Sequence, residues 1–116
     1  MPTWPQYANA LLVESANIYQ QGIVGGANTA ITAKSGDVVL ASTDATHTIT
    51  VTLPPVAQGG PVTVRKMDSN AVAVKVVTSD GSTINGVAGA TGVSTTAQFV
   101  GWTFVSDGAN WWQVGS

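Results

Sequence analysis

Between residues 46 and 86, apolar and polar positions alternate in short runs divided by turn-forming residues. In residues 48–53, Ile49, Val51 and Leu53 alternate with Thr48, Thr50 and Thr52, so a period of two places the aliphatics on one face of a half-buried strand. Pro54 and Pro55 withdraw two ladder donors, and Gly59-Gly60-Pro61 follows as loosely constrained chain, so the strand ends there. A second run starts at Val62, with Val62, Val64 and Lys66 on one face and Thr63, Arg65 and Met67 on the other. After Asp68-Ser69-Asn70, a third run alternates Val72, Val74 and Val76 with Ala71, Ala73, Lys75 and Val77. The second and third runs are expected to pair as a hairpin.

The same grain extends over the rest of the chain. Gly25-Gly26-Ala27-Asn28 separates a strand expected at 17–24 from one at 29–33, and Lys34-Ser35-Gly36-Asp37 turns into Val38-Val39-Leu40. Residues 87–96 carry Gly, Ala, Ser and Thr with little bulk, which predicts a loop or a loosely packed strand. In residues 98–105 both alternating faces carry bulk, Phe99 and Val105 on one and Val100, Trp102 and Phe104 on the other, so both are expected to be covered. Asp107-Gly108 then turns the chain into 111–114, and these two runs form a terminal hairpin. Strand-sized runs with closely and regularly recurring turn signals predict an all-β domain, a small antiparallel sandwich or barrel.

Residues 1–20 differ in character and read as a short N-terminal arm ahead of a single β domain at 21–116. Thr3-Trp4-Pro5-Gln6 has capping-box spacing, and the arm fits a helix or an extended segment. In either form Trp4, Tyr7, Leu11 and Leu12 need a surface to bury against, at the end of their own domain or on a neighbouring subunit. The arm has neither a basic region nor a long apolar run, so synthesis and folding in a cytoplasm, with no membrane contact, are expected.

A chain of 116 residues makes one domain with a modest core. Charged residues are only 9% of it, against an average of about 25%, so its surface is neutral and rich in hydroxyls. Four basic residues (Lys34, Arg65, Lys66, Lys75) and a net charge of −2 provide no footprint for direct nucleic-acid binding. Low net charge also removes a guard against self-association, which favours an oligomer.

Candidate chemistry is sparse. The chain has no cysteine and one histidine, His47, which argues against zinc and against a thiol nucleophile. Asp44 and Thr46 neighbour His47, but Ser and Thr are so frequent here that the coincidence is expected, and a turn histidine is the reading. Asp37, Asp44, Asp68, Asp80 and Asp107 sit in Gly/Ser/Asn-flanked turns, where Asx capping accounts for them without calcium. No glycine run opens a helix to cradle phosphate, so no cofactor and no enzymatic activity are expected. Trp111 and Trp112 are adjacent on a strand, so one should face the core and the other solvent, a partner or a sugar ring.

Four stretches then stand in order: 50–55 (TVTLPP), 66–70 (KMDSN), 80–86 (DGSTING) and 105–111 (VSDGANW). Together they resemble a β-rich module of tailed-bacteriophage virion proteins, found in tail fibres, spikes and head decoration proteins. The resemblance covers residues 35–114 and leaves the N-terminal stretch unmatched. It implies a structural virion role, commonly as a homotrimer, with no catalytic residues to carry over. Because the module makes up nearly all of this chain, the resemblance points to a capsid decoration protein. Such a protein would dock on the major capsid protein outside the shell, with Trp4, Tyr7, Leu11 and Leu12 as the docking arm. The alternative is a small tail or head-fibre adsorption protein whose Trp111 or Trp112 and loop 87–96 bind host glycan. A non-viral carbohydrate-binding module stands third.

Overall fold

The computed structural model describes residues 17–22 by their backbone and residues 29–115 in full. Its strands are β1 (Asn17–Gly22), β2 (Ala30–Thr32), β3 (Asp37–Ser42), β4 (Ile49–Thr52), β5 (Val62–Lys66), β6 (Val74–Val77), β7 (Thr83–Ile84), β8 (Val87–Ala88), β9 (Val93–Thr95), β10 (Gly101–Ser106) and β11 (Trp111–Gly115). They form a seven-stranded sheet, β1-β3-β5-β10-β11-β7-β8, and a four-stranded sheet, β2-β4-β6-β9. The only helical element among the described residues is a single 3-10 turn, Val56–Gln58.

The first six strands alternate between the two sheets, odd strands in the larger and even strands in the smaller, and neighbours within each set are parallel. Both sheets step by the same sequence offset in the first turn, with Asn17 beside Asp37 and Ala30 beside Thr50. Both step by a longer shared offset in the second, with Val38 beside Thr63 and Ile49 beside Val74. Parallel neighbours cannot be joined by a tight turn and need a crossover. Here each crossover runs through a strand of the opposite sheet, so the chain advances as a two-sheet coil in which each turn stacks on the one before. β9 and β10 then come back antiparallel along β6 and β5, and β11 folds onto β10.

One core lies between the sheets. Val39, Ala41, Val62, Val64, Ile84, Trp102, Phe104 and Trp111 reach it from the larger sheet, and Ile49, Val51, Val74 and Val76 from the smaller. Ile49, Val51, Val62, Val64, Val74 and Val76 lie on the strand faces that the alternation groups together, and Lys66, grouped with Val62 and Val64, is fully buried. Burying each Val or Ile contributes about 1.5–3 kcal/mol, so stacked aliphatics carry most of the packing. Successive coils are also tied at their corners. The Gly36 amide donates to the Pro61 carbonyl at 2.8 Å, and Ser35 Oγ donates to the Gly60 carbonyl at 3.3 Å.

Several expectations change. The sheets are mixed and open, not antiparallel and closed, because alternation fixes which face of a strand is buried and leaves its neighbour's direction undetermined. β5 and β6 are not a hairpin: one lies between β3 and β10, the other between β4 and β9, on opposite sides of the core. Both runs bury a valine face, and the same pattern suits a pair in one sheet or a pair facing across a core. The terminal hairpin is present, with its register shifting between Thr103 and Phe104. Residues 87–96 hold the short strands β8 and β9, and β1 includes residues on both sides of the boundary expected at residue 20.

Close approach makes Gly101 obligatory. A Cβ there would stand 2.0 Å from the Val64 carbonyl oxygen on the adjacent strand, and that backbone cannot yield without opening the β5–β10 ladder. Gly101→Ala should therefore cost about 1–3 kcal/mol, in the range of overpacking. Gly115→Ala, where a Cβ meets nothing within 4 Å, should leave urea midpoints unchanged.

Candidate interaction site

A buried polar cluster forms at a corner where two successive coils leave the larger sheet. Lys66, the last residue of β5, points inward, and a buried ammonium needs its donors filled. Its Nζ donates to Asp68 Oδ2 at 2.7 Å, to the Asp68 carbonyl at 2.9 Å and to Thr43 Oγ1 at 3.4 Å. Asp68 in turn accepts from the Thr43 amide and hydroxyl, both at 2.7 Å, and from the Asn70 amide at 2.9 Å. Asn70 Nδ2 completes the corner by donating to the Thr43 carbonyl at 2.9 Å. Burial alone would raise the Asp68 carboxyl, but the bonds from Lys66, Thr43 and Asn70 outweigh it and hold the group far below the usual carboxylate range. The sequence puts Lys66 on the face shared by Val62 and Val64; the acidic residue two positions on is the signal that identifies this corner.

The other acidic turns are built in the same way. Lys34 donates its amide to Asp37 Oδ2 at 2.7 Å. Asp80 accepts from the Ser82 hydroxyl and amide and, across the fold, from the Val56 amide at 3.0 Å, and these bonds lower its pKa. Asn110 Oδ1 caps the Thr83 amide at 2.9 Å, and Asn85 Oδ1 caps the Gln113 amide at 2.8 Å. Ser106 Oγ reaches the Val56 carbonyl at 2.7 Å. Each of the five aspartates accepts at least one backbone amide of its own turn, and Asp68 in addition neutralises Lys66; all four stretches behind the resemblance contribute to the core or to these turns.

His47 is exposed. Its Nδ1 lies 2.7 Å from Asp44 Oδ2 and 2.8 Å from Thr46 Oγ1, so the structure does bring the three neighbours together. Both partners meet the same ring nitrogen, whereas a nucleophile relay needs the acid and the hydroxyl on opposite nitrogens. Asp44 also accepts the amides of Thr46 and His47, which makes the loop an Asx turn, and the Thr46 amide leads in lowering its pKa. Among the described residues no pocket opens, and no three or more His, Asp or Glu side chains converge on a common point.

Trp111 is fully buried and Trp112 is 42% exposed, the division their adjacency predicts. Among the described residues the buried indole Nε1 of Trp111 has no hydrogen-bond partner. That of Trp112 donates to Asp107 Oδ2 at 2.8 Å, and Asp107 also caps the Asn110 and Ala109 amides, so the exposed ring is tethered to a rigid turn. Trp4, Tyr7, Leu11 and Leu12 lie outside the described residues.

One exposed site is absent from the sequence reading. Phe99 and Val100 are not covered; they are 57% and 41% exposed at the turn before β10. Phe99 has φ +64°, a conformation that costs a bulky residue on the order of 1–3 kcal/mol. The turn is pinned to β5: the Phe99 amide donates to the Lys66 carbonyl at 2.7 Å, the Lys66 amide donates to the Val100 carbonyl at 2.9 Å, and the Arg65 guanidinium donates to the Phe99 carbonyl. Alternation cannot reveal this, because it treats 98–105 as one strand and the strand begins at Gly101.

Comparison with known proteins returned no matching family model, no matching curated protein and no matching solved structure.

Two outcomes follow for the Lys66 corner. Asp68→Ala strands a buried ammonium and should cost about 3–5 kcal/mol. Lys66→Met should cost clearly less by urea denaturation, because Asp68 keeps its three donors from Thr43 and Asn70. Since the folded pKa of Asp68 lies below its unfolded value, the native state binds fewer protons in that range. Its stabilisation is complete above the unfolded value of about 4 and disappears as pH falls through the folded one. Melting temperature should thus fall with acid below about pH 4, and Asp68→Asn should flatten that fall. An equal slope in the variant would rule out this corner as its source.

Proposed function

We propose that the chain is a structural virion protein, a capsid decoration protein that binds the outside of a tailed-phage head and stabilises its shell. The observation that carries this reading is how the motif residues are used. TVTLPP, KMDSN, DGSTING and VSDGANW supply core residues, coil corners and turn caps, so the resemblance rests on the framework of a compact β module. What remains outside is a neutral surface carrying exposed Phe99, Val100, Trp112 and Val114. A nearly uncharged module with a few anchored apolar side chains suits docking to other protein surfaces. In this reading the partners are other copies of the chain, as a homotrimer, and the major capsid protein, with the N-terminal segment bearing Trp4, Tyr7, Leu11 and Leu12 as the docking arm. The protein is made in the host cytoplasm and resides on the capsid surface, without a cofactor, a reaction, direct nucleic-acid contact or membrane contact. Binding only to the assembled shell would shift the balance away from rupture by mass action.

Quantitative mass spectrometry of purified virions tests this directly. A decoration protein should be present at one copy, or a simple fraction, per major capsid subunit, whereas a few copies per particle would contradict lattice-wide decoration. The double variant Trp4→Ala/Tyr7→Ala should weaken binding to undecorated heads at least about tenfold, as expected for aromatic anchors, with no change in melting temperature.

The tether on Trp112 favours one second reading, a glycan-binding adsorption knob. An indole held at fixed orientation by Asp107 offers a flat stacking face. Under this reading Trp112→Ala abolishes binding to host polysaccharide and leaves shell binding intact.

A further inference from the structure

At one end of the molecule β1 and β2 are the outermost strands of their sheets. Among the described residues neither has a neighbour on its outer edge, and an uncharged edge such as Ala30-Ile31-Thr32 is a template for another strand. The coil itself specifies which strand fits. β1 pairs with β3, and β2 with β4, at one common offset, the step from Asn17 to Asp37 and from Ala30 to Thr50. The position stacked outside β2 therefore belongs to the segment one such step earlier in the chain. That step sets residues 9–13 (Asn-Ala-Leu-Leu-Val) against 29–33 (Thr-Ala-Ile-Thr-Ala). The following stretch matches in chemistry as well: 14–18 (Glu-Ser-Ala-Asn-Ile) aligns with 34–38 (Lys-Ser-Gly-Asp-Val), a charge, a serine, a small residue, an Asx and an aliphatic.

We infer that residues 9–13 form a further strand of the smaller sheet, parallel to β2 at the offset of the first coil. Leu11 falls at the register position of Ile31, Val51 and Val76, and Val13 at that of Ala33 and Leu53. Val51, Val76, Ala33 and Leu53 are buried and Ile31 packs against them, so these are core positions. Leu11 and Val13 therefore extend two aliphatic ladders by one step each. Ala10 and Leu12 fall at the outward positions of Ala30 and Thr32. At the corner, the Lys34 amide is capped by Asp37, and the sequence has an Asx residue, Asn17, one step earlier. The occupant of the β2 edge is thus this chain's own segment. This refines the docking proposal, on which it does not rest: Leu11 belongs to the domain, and Trp4, Tyr7 and Leu12 remain for a partner.

The absence of cysteine makes a cross-linking test clean. Aligned residues on parallel neighbours have Cα atoms about 5 Å apart, within disulfide range, and a shift of two residues puts them beyond about 7 Å. Under mild oxidation of the isolated full chain, Ala10→Cys/Ala30→Cys should form an intramolecular disulfide in most molecules, and Ala10→Cys/Thr32→Cys should not. Equal cross-linking of both pairs, or none in the first, overturns the register. A disulfide-linked dimer overturns the assignment to the same chain. Leu11→Asp should also lower the melting temperature by at least about 8 °C, and Leu12→Asp by much less; equal effects overturn the inward placement of Leu11. Because no shell is present in these experiments, a failure of capsid binding leaves them unaffected, and their failure leaves the virion reading open to its own test.

Discussion

The buried Lys66 ammonium ties together the corners of two successive coils. An aliphatic residue at that inward position would need only space, whereas a cation needs a carboxylate and further acceptors in place. Asp68 provides the charge, and the same carboxylate takes the amide and hydroxyl of Thr43, which lies one coil earlier in the chain. The step from Thr43 to Asp68 equals the second coil repeat, from Val38 to Thr63. One ion pair therefore fixes the rotamer at the end of β5, the path of its own turn and the stacking of the previous corner above it. A purely apolar corner would tolerate slippage between coils, whereas this one leaves donors unfilled if the register shifts by a residue. The pair contributes registration more than net stability, since buried ion pairs seldom outperform well-packed aliphatics energetically.

Much of the architecture was legible at the level of the single strand. The period of two located β4, β5 and β6 and grouped the residues of each face, and turn chemistry located the start of β3, the terminal hairpin and the five capping aspartates. Trp111 and Trp112 separated as adjacent strand residues must. What alternation could not convey was the neighbour of each strand. β5 and β6 each present a valine ladder, and nothing local distinguishes two strands side by side from two strands facing each other across a core. The coil repeat was equally hidden, because what recurs is size and polarity, with little identity. The repeat also lengthens between turns, since Ala30 pairs with Thr50 but Thr50 pairs with Lys75. Phe99 escaped for a different reason: its exposure depends on a left-handed turn, and a bulky aromatic is an improbable signal for one.

The four stretches on which the proposed virion reading rests have defined physical roles in the same contacts. Leu-Pro-Pro ends an inward-facing strand and leads into the 3-10 turn whose Val56 amide is capped by Asp80. Lys-Met-Asp-Ser-Asn is the ion-paired corner. In the Asp-Gly-Ser-Thr-Ile-Asn-Gly stretch, Asp80 caps its own turn, buried Ile84 enters the core and Asn85 reaches β11. These residues are what a short coil with two sheets requires at its corners, whatever it binds. They account for the framework on which the proposed reading rests, and the choice of partner lies in what that framework presents.

Viewed that way, the two ends of the coil differ. At the far end the stack is closed by chain that runs back antiparallel, with β9 on β6 and β10 on β5, and the edge strand β8 is very short, a form poorly suited to recruiting a foreign strand. The near end, with β1 and β2 outermost, has no such device among the described residues. A coil of this kind remains soluble only when its terminal turn is covered, as repeat stacks need capping units. Placing residues 9–13 on β2 supplies that cover from the chain itself. In that inferred placement the N-terminal segment would divide by physical role: Leu11 and Val13 at core register positions would complete the module, and Trp4 and Tyr7 ahead of them would be left for the proposed partner.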